Sequence, residues 1–260
     1  MWTGGRFGPR AECVLAPNAN FMTLDGTNTW VLRDGDSSIV IDPGPLMDAH
    51  LDAVQAVAGD VQHVLLTHHH VDHSEAAKAF GERVGAPVSA LDPAYVLGGE
   101  GLHDGDVITA GDLAVHVIGT PGHTADSLTF YVPEDRAILT GDTVLGRGTS
   151  VVAHPDGNLG AYLDSLDRLR NLADERDLQW IWPGHGPVIE DALATLDYYV
   201  AHRKSRLEQV QTALGLVSFD VLPDDLPRTI VEIVYADVDP ILWGAAELSV
   251  RAQLAYLGRG

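Results

Sequence analysis

Cysteine is nearly absent. Cys13 stands alone in 260 residues, which excludes an internal disulfide and suits a reducing compartment. Long apolar runs are missing too: nothing approaches the ~18 residues of a membrane span. The first 21 residues carry Arg6 and Arg10 but no continuous apolar segment, so no export signal is expected and the cytoplasm is the expected location. Basic residues are scarce. Sixteen Lys and Arg face 37 Asp and Glu, a formal charge of −21. The deficit lies in residues 1–199, with 10 basic against 29 acidic, whereas residues 200–260 hold 6 and 8. An acidic body repels phosphate backbones at long range and speaks against tight, non-specific nucleic-acid binding. No G-x-S-x-G occurs and Cys13 lies far from any other motif, so serine and cysteine nucleophiles are not expected.

Histidine, by contrast, is concentrated. Thr67-His68-His69-His70-Val71-Asp72-His73 packs four histidines and an aspartate directly behind the apolar run 61–66. Read as H-x-H-x-D-H, its donor positions are His68, His70, Asp72 and His73. Imidazole nitrogen and carboxylate oxygen are donors that zinc, iron or manganese accept. Two histidines at i and i+2 on extended chain point to one side, so one metal could take both. Asp72 and His73 begin a helix and could face a second metal. The bland alternative is a polar turn with Asp72 as helix N-cap.

At 45% hydrophobic, the chain can bury the core of one large α/β domain, or of such a domain with a small appendage. Residues 12–45 read as β structure ending at Asp42-Pro43-Gly44. A helix over 46–58 precedes a strand over 61–67, and a helix over 74–84 follows the histidine turn. A short strand is expected at 87–91. Residues 113–118 read as a half-buried strand that delivers the chain to His123, and 128–132 with 137–140 as a hairpin ending at Asp142. A helix over 159–172 leads to a last strand, 179–182, and His185. Four apolar strands thus each end beside a His or Asp, and strand ends are where open sheets place their sites. Helices are expected over 191–214, 229–235 and 241–257, with a break at 222–227. No fixed-period repeat is visible.

H-x-H-x-D-H after a buried strand resembles the first metal motif of the metallo-β-lactamase superfamily. Gly119-Thr120-Pro121-Gly122-His123, Leu139-Thr140-Gly141-Asp142 and Trp182-Pro183-Gly184-His185 are similar, in order and flanking residues, to the motifs that follow it. The resemblance implies an α/β fold, the αββα sandwich, and two divalent metal ions, zinc first. It implies that His68, His70 and His123 hold one ion and Asp72, His73 and His185 the other, with Asp142 bridging. A hydroxide shared by the two ions would be the nucleophile, and Asp72 would orient it and accept its proton.

Gly26-Thr27-Asn28-Thr29-Trp30, the run from Thr140 to Thr149, Pro183-Gly184-His185-Gly186-Pro187 and Tyr199-Val200-Ala201-His202-Arg203-Lys204 resemble the lactamase-β-2-type hydrolases. That subgroup carries a winged-helix-like C-terminal domain, and its characterised animal member is a single-strand-preferring endoribonuclease. The resemblance implies a catalytic domain over 1–199 and a helical appendage over 200–260, its wing short or absent. A metal-dependent hydrolase cleaving single-stranded RNA is the leading expectation. Hydrolysis of a small thioester, ester or lactone is the alternative. Asp142 sits where many antibiotic lactamases carry cysteine, so β-lactam hydrolysis is expected to be secondary at most. The complete donor set disfavours a purely binding role. Asn28 and the basic helical cluster of His202, Arg203 and Arg206 are the expected substrate contacts, the cluster taking phosphate if RNA is the substrate.

Overall fold

The structure, a computed structural model, describes residues 1–217 and 225–259. Positions 222–224 of the expected helix break lie outside the described residues. The first half of the chain builds one sheet from β1 (Gly5–Phe7), β2 (Ala11–Leu15), β3 (Asn28–Asp34), β4 (Ser37–Ile41), β5 (Asp60–Leu65) and β6 (Val88–Ser89), side by side in chain order. The parallel pairs β4–β5 and β5–β6 need crossovers. These are supplied by α1 (Asp48–Ala58) and by the short α2 (Val71–Ser74) with α3 (Ala77–Val84). The helix expected over 74–84 therefore starts earlier and is interrupted. The Ala76 amide bonds the Gly44 carbonyl at 3.1 Å, which draws the chain off one helical path between α2 and α3.

A second sheet holds β7 (Val107–Ala110), β8 (Leu113–Gly119), β9 (Leu128–Val132), β10 (Ala137–Gly141) and β11 (Trp180–Pro183), in the order β11-β10-β9-β8-β7. Its one parallel pair, β10–β11, is crossed by α4 (Leu159–Arg176). The chain then runs through α5 (Ala192–Leu214), α6 (Leu226–Val234) and α7 (Trp243–Tyr256).

Strand periodicity sorts the apolar residues into layers, because successive side chains face opposite sides of a sheet. Trp30, Ile39, Ile41 and Leu65 of the first sheet meet Val115, Val117, Phe130, Leu139 and Trp182 of the second in one buried cluster. Trp30 and Trp182 stack across it, ring centroids 5.4 Å apart. The alternate residues Val31, Val40 and Val64 pack outward on Leu51, Val54 and Phe80. On the other side Ile138 and Ile181 pack on Tyr162, Leu166, Leu169, Leu196 and Tyr199. The result is the expected helix–sheet–sheet–helix sandwich.

Residue 199, where a domain boundary was expected, lies inside α5. The first half of that helix packs on α4 through Leu196 and Tyr199. The second half joins α6 and α7 through Val210, Ala213, Ile230, Val231 and Val250. Among the described residues no strand follows β11. No described helix is long and apolar enough to cross a membrane.

The layering predicts where stability resides. Phe80→Ala, at a fully buried position, should cost about 3–5 kcal/mol in denaturant unfolding. Leu216→Ala, at a site 71% exposed, should change stability by less than about 0.5 kcal/mol. Equal effects would contradict the placement of α3 against the first sheet.

Candidate metal centre

The carboxyl ends of β4, β5, β8, β10 and β11 open on one side of the sandwich, and the loops leaving them converge there. Three elements bring the first donor group together. His68 and His70 follow β5, His123 follows β8 and Asp142 follows β10. His70 Nδ1 lies 3.0 Å from His68 Nε2 and 3.1 Å from His123 Nε2. In the second group, Asp72 Oδ2 lies 3.3 Å from His73 Nε2 and 3.2 Å from His185 Nε2. Those two ring nitrogens are 3.3 Å apart. Asp142 stands between the groups: its Oδ1 is 3.5 Å from His73 Nε2, and its Oδ2 is 3.4 Å from His185 Nε2 and 3.7 Å from His123 Nε2. Within each group the donor atoms lie inside 4.8 Å of one another. Asp72 is not a helix cap; no side chain caps α2.

The outward nitrogens decide what the inward ones offer. His73 Nδ1 donates to Asp42 Oδ2 at 2.8 Å. Thr67 Oγ1 donates to the same Oδ2 at 2.7 Å, which leaves it as acceptor for His68 Nδ1 at 2.9 Å. His123 Nδ1 donates to the Val151 carbonyl at 2.7 Å and His185 Nδ1 to the Gly26 carbonyl at 3.1 Å. These bonds assign the outward protons: four rings carry a proton on the outward nitrogen, which leaves Nε2 of each as the nitrogen that offers a lone pair to the centre once its own proton is lost. Lone pairs aimed at one another across about 3 Å repel unless a proton or a cation lies between them. Asp142 Oδ1, buried and without a hydrogen-bond partner, adds an unused acceptor. The residues fit divalent metal ions, and outer hydrogen bonds of this kind are what orient metal-binding histidines.

Asp42, Thr27 and Thr67 were not singled out in the sequence. Asp42 accepts from Thr67 N at 2.8 Å as well, so one carboxylate orients a ring in each group. It does so with φ at +52°, a conformation rare outside glycine. Thr27 Oγ1 donates to Asp72 Oδ2 at 2.9 Å and accepts from Asn18 Nδ2 at 2.9 Å. The available signal was position: Asp42 also ends an apolar strand, but its Pro-Gly neighbours read as a breaker. Gly184 is needed for space, since a Cβ there would stand 2.6 Å from Asp142 Oδ1 and 2.8 Å from the His73 ring.

Charge divides the centre. Burial lowers the pKa of His68, reinforced by His73, and burial with His123 brings His70 down to about 4. His123 is lowered mainly by burial. In the second group burial opposes charge but loses to neighbours. Asp72, Asp142 and Asp42 hold His73 well above its ordinary value, and His185 is pushed up to about 9 beside Asp142 and Asp72. Asp72 and Asp142 fall below the usual carboxylate range, because His73 and His185 outweigh the burial that opposes ionisation.

A cavity of about 310 Å³ opens on His123 and Asp142. Phe21, Met22 and Leu24 line it together with Leu145, Arg147 and residues 148–151, and Val238, Leu242, Ala245 and Ala246 of the C-terminal region complete its wall. His202, Arg203 and Arg206 of α5 reach the same cavity. Arg203 departs from the exposed phosphate contact expected of it. It is 8% exposed, donates to the Ser150 carbonyl and lies over the Tyr162 ring, 4.9 Å from its centroid. Packing of α5 on α4 buries it, so it fastens the loop that carries the Val151 carbonyl under His123. Asn28 does not reach the cavity. It is fully buried, its Nδ2 donates to the Pro183 and Gly186 carbonyls at 2.9 Å each, and its Oδ1 accepts from Trp2 Nε1 and Cys13 Sγ. Its side-chain amide is fully used in these bonds, which clamp the loop of His185.

Residues 22–185 match the Metallo-beta-lactamase superfamily, and residues 227–259 the Beta-lactamase associated winged helix domain. The chain is similar to the Beta-lactamase-like protein 2 homolog of Drosophila melanogaster, with 32% identity over 94% of this chain and 86% of the fly protein. Its fold is similar to that of a beta-lactamase domain protein from Burkholderia ambifaria, with a TM-score of 0.80 and 21% identity over 98% of this chain and 87% of that one. A protein crystallised in a di-iron-bound form is similar over 65% of this chain and 91% of its own, with 28% identity and a TM-score of 0.55. The sandwich, the two donor groups at its strand ends and these matches together make the chain a member of the metallo-beta-lactamase superfamily of metal-dependent hydrolases, with the associated winged helix domain in its C-terminal region.

Proposed function

We propose that this chain holds two divalent ions, on His68, His70 and His123 and on Asp72, His73 and His185 with Asp142 between them, and hydrolyses a small ester or thioester. The observation that carries the substrate class is the cavity beside the centre: about 310 Å³, and walled chiefly by aliphatic and aromatic side chains. That volume and lining suit a short acyl chain. Single-stranded RNA becomes the second reading, supported by His202 and Arg206 on the wall. It loses Arg203 as a free phosphate contact to burial, and the −21 chain opposes a polyanion. The donors are nitrogen and carboxylate oxygen without thiolate, a set that zinc and iron both accept. Zinc remains the first expectation, and the di-iron-bound relative supports iron. The cytoplasm is the proposed location, on the strength of the single, free Cys13.

Ions bound there supply Lewis acidity to the substrate oxygen and make water a nucleophile near neutral pH. The chain's own groups do the rest. Thr27 fixes the Asp72 carboxylate through Oδ2, and the neighbouring His73 and His185 keep that carboxylate ionised. Asp42, through His73 and Thr67, holds rings of both groups in register. The apolar wall excludes water from the acyl chain and positions it toward Asp142.

Two outcomes are expected. In metal-free protein, imidazole NMR should show His70 neutral down to about pH 4 and His185 protonated up to about pH 9. The raised His185 value makes a proton stabilise the metal-free fold fully below pH ~6.5, a contribution lost as pH rises toward 9. Both rings titrating near 6.5 would contradict the charge division. In side-by-side assays, metal-loaded protein should hydrolyse short acyl thioesters, and Asp72→Asn should lower the rate by about 10² or more. Cleavage of labelled single-stranded RNA with no thioester turnover would reverse the order of the two substrate readings.

A further inference from the structure

The cavity wall carries more positive charge than its chemistry so far uses. In a chain of net charge −21, Arg147, Arg203 and Arg206 reach this one cavity, together with His202. Among the described residues the single carboxylate on that wall is Asp142, which belongs to the metal centre. Arg147 is paired with Asp25 at 3.0 Å. Arg203 and Arg206 have no carboxylate partner among the described residues. Arg203 bonds the Ser150 carbonyl and covers Tyr162, and its Nε has no hydrogen-bond partner among the described residues. Arg206 uses one terminal nitrogen, on Gln209 Oε1 at 2.9 Å and the Val234 carbonyl at 3.0 Å, while its guanidinium lies over Tyr235. Its Nε and second terminal nitrogen are left without a partner among the described residues. An arginine as buried as Arg203, with no carboxylate partner among the described residues, is costly to the fold, and an arriving anion relieves that cost. The uncompensated field reaches the neighbouring ring: His202 is lowered by burial first and then by the charges of Arg203 and Arg206.

We propose that the substrate is an ester or thioester bearing a terminal carboxylate, which docks against Arg206 with Arg203 adding charge from the layer behind, while the scissile bond lies at the metal centre. This rests on the small-ester reading above and narrows it to anionic substrates. A guanidinium fork matches a carboxylate in two parallel hydrogen bonds. The apolar side chains that line the same cavity accommodate the alkyl spacer. In the reaction, water adds its oxygen to the acyl carbon, the carbon–sulfur or carbon–oxygen bond breaks, and the leaving thiol or alcohol takes the proton. The terminal carboxylate is unchanged.

Three thioesters test this with metal-loaded protein. Hexanoyl-N-acetylcysteamine is neutral, adipoyl-N-acetylcysteamine carries a carboxylate on the acyl end, and hexanoyl-3-mercaptopropionate carries it on the thiol. One of the two anionic substrates should exceed the neutral one in kcat/KM by about tenfold or more, mainly through KM, and which one does so tells which end docks. Arg206→Met should erase that preference, and Arg206→Lys should keep part of it. Calorimetry gives a second readout without turnover, in which hexanoate should bind at least about tenfold tighter than neutral hexanamide, a difference lost in Arg206→Met. Equal kcat/KM for all three substrates, or a preference unchanged in Arg206→Met, would overturn the anion site and leave the small-ester reading standing. No turnover of any of the three would remove that reading itself.

Discussion

Four imidazole rings in this chain are fixed from outside, each by an N–H hydrogen bond to a rigid acceptor, so that their Nε2 atoms are forced together inside. That convergence is the constraint on which the centre depends. The acceptors are Asp42 for His73, Thr67 for His68, the Val151 carbonyl for His123 and the Gly26 carbonyl for His185. Asp42 matters most, because it serves a ring in each group, directly and through Thr67. The backbone that presents it, at positive φ between β4 and α1, is held by Asp42 N bonding the Leu65 carbonyl at 2.9 Å. The parallel β4–β5 pair thus places the orienting carboxylate and the histidine turn side by side.

The rest of the fold supports these acceptors. Two sheets buried on both faces give rigid strand ends, and the inter-sheet stack of Trp30 on Trp182 sits directly beneath the loop of His185. Trp30 Nε1 bonds the Pro183 carbonyl at 3.1 Å, and Asn28 holds the same carbonyl from the neighbouring position. On the opposite side α4 and α5 pin the loop after Asp142: Tyr162 Oη donates to the Thr143 carbonyl at 2.6 Å, Tyr199 Oη accepts from Leu145 N at 2.9 Å, and Arg203 bonds the Ser150 carbonyl. The helical C-terminal region is coupled to the centre through Tyr199 and Arg203 of α5 and also walls the cavity.

What the sequence made legible follows from what is local. The strand-end histidines and aspartates are visible because apolar runs, Gly turns and ligand-type residues sit next to one another in the chain, and the structure brings all seven of them together. The individual strands and helices are visible because their periodicity is short-range, whereas the αββα layering entered through the resemblance of the motifs to a known superfamily. The misassigned residues are those whose role depends on distant packing. Asn28 reads as a substrate contact until Pro183 and Gly186 arrive to consume its amide. Arg203 shares a helix face with charged neighbours in sequence, yet α4 buries it. Asp42 and Thr27 were missed because their partners, His73 and Asp72, lie 31 and 45 residues away.

The central claim is that one second-layer carboxylate organises a two-ion centre, and metal analysis tests it most directly. Protein purified gently and equilibrated with excess zinc or iron should hold two ions per chain. Asp42→Ala should keep its secondary structure yet bind both ions about 10- to 100-fold more weakly. A wild-type stoichiometry that stays at or below one under metal excess, or an Asp42→Ala variant that binds two ions as tightly as the parent, would contradict the account.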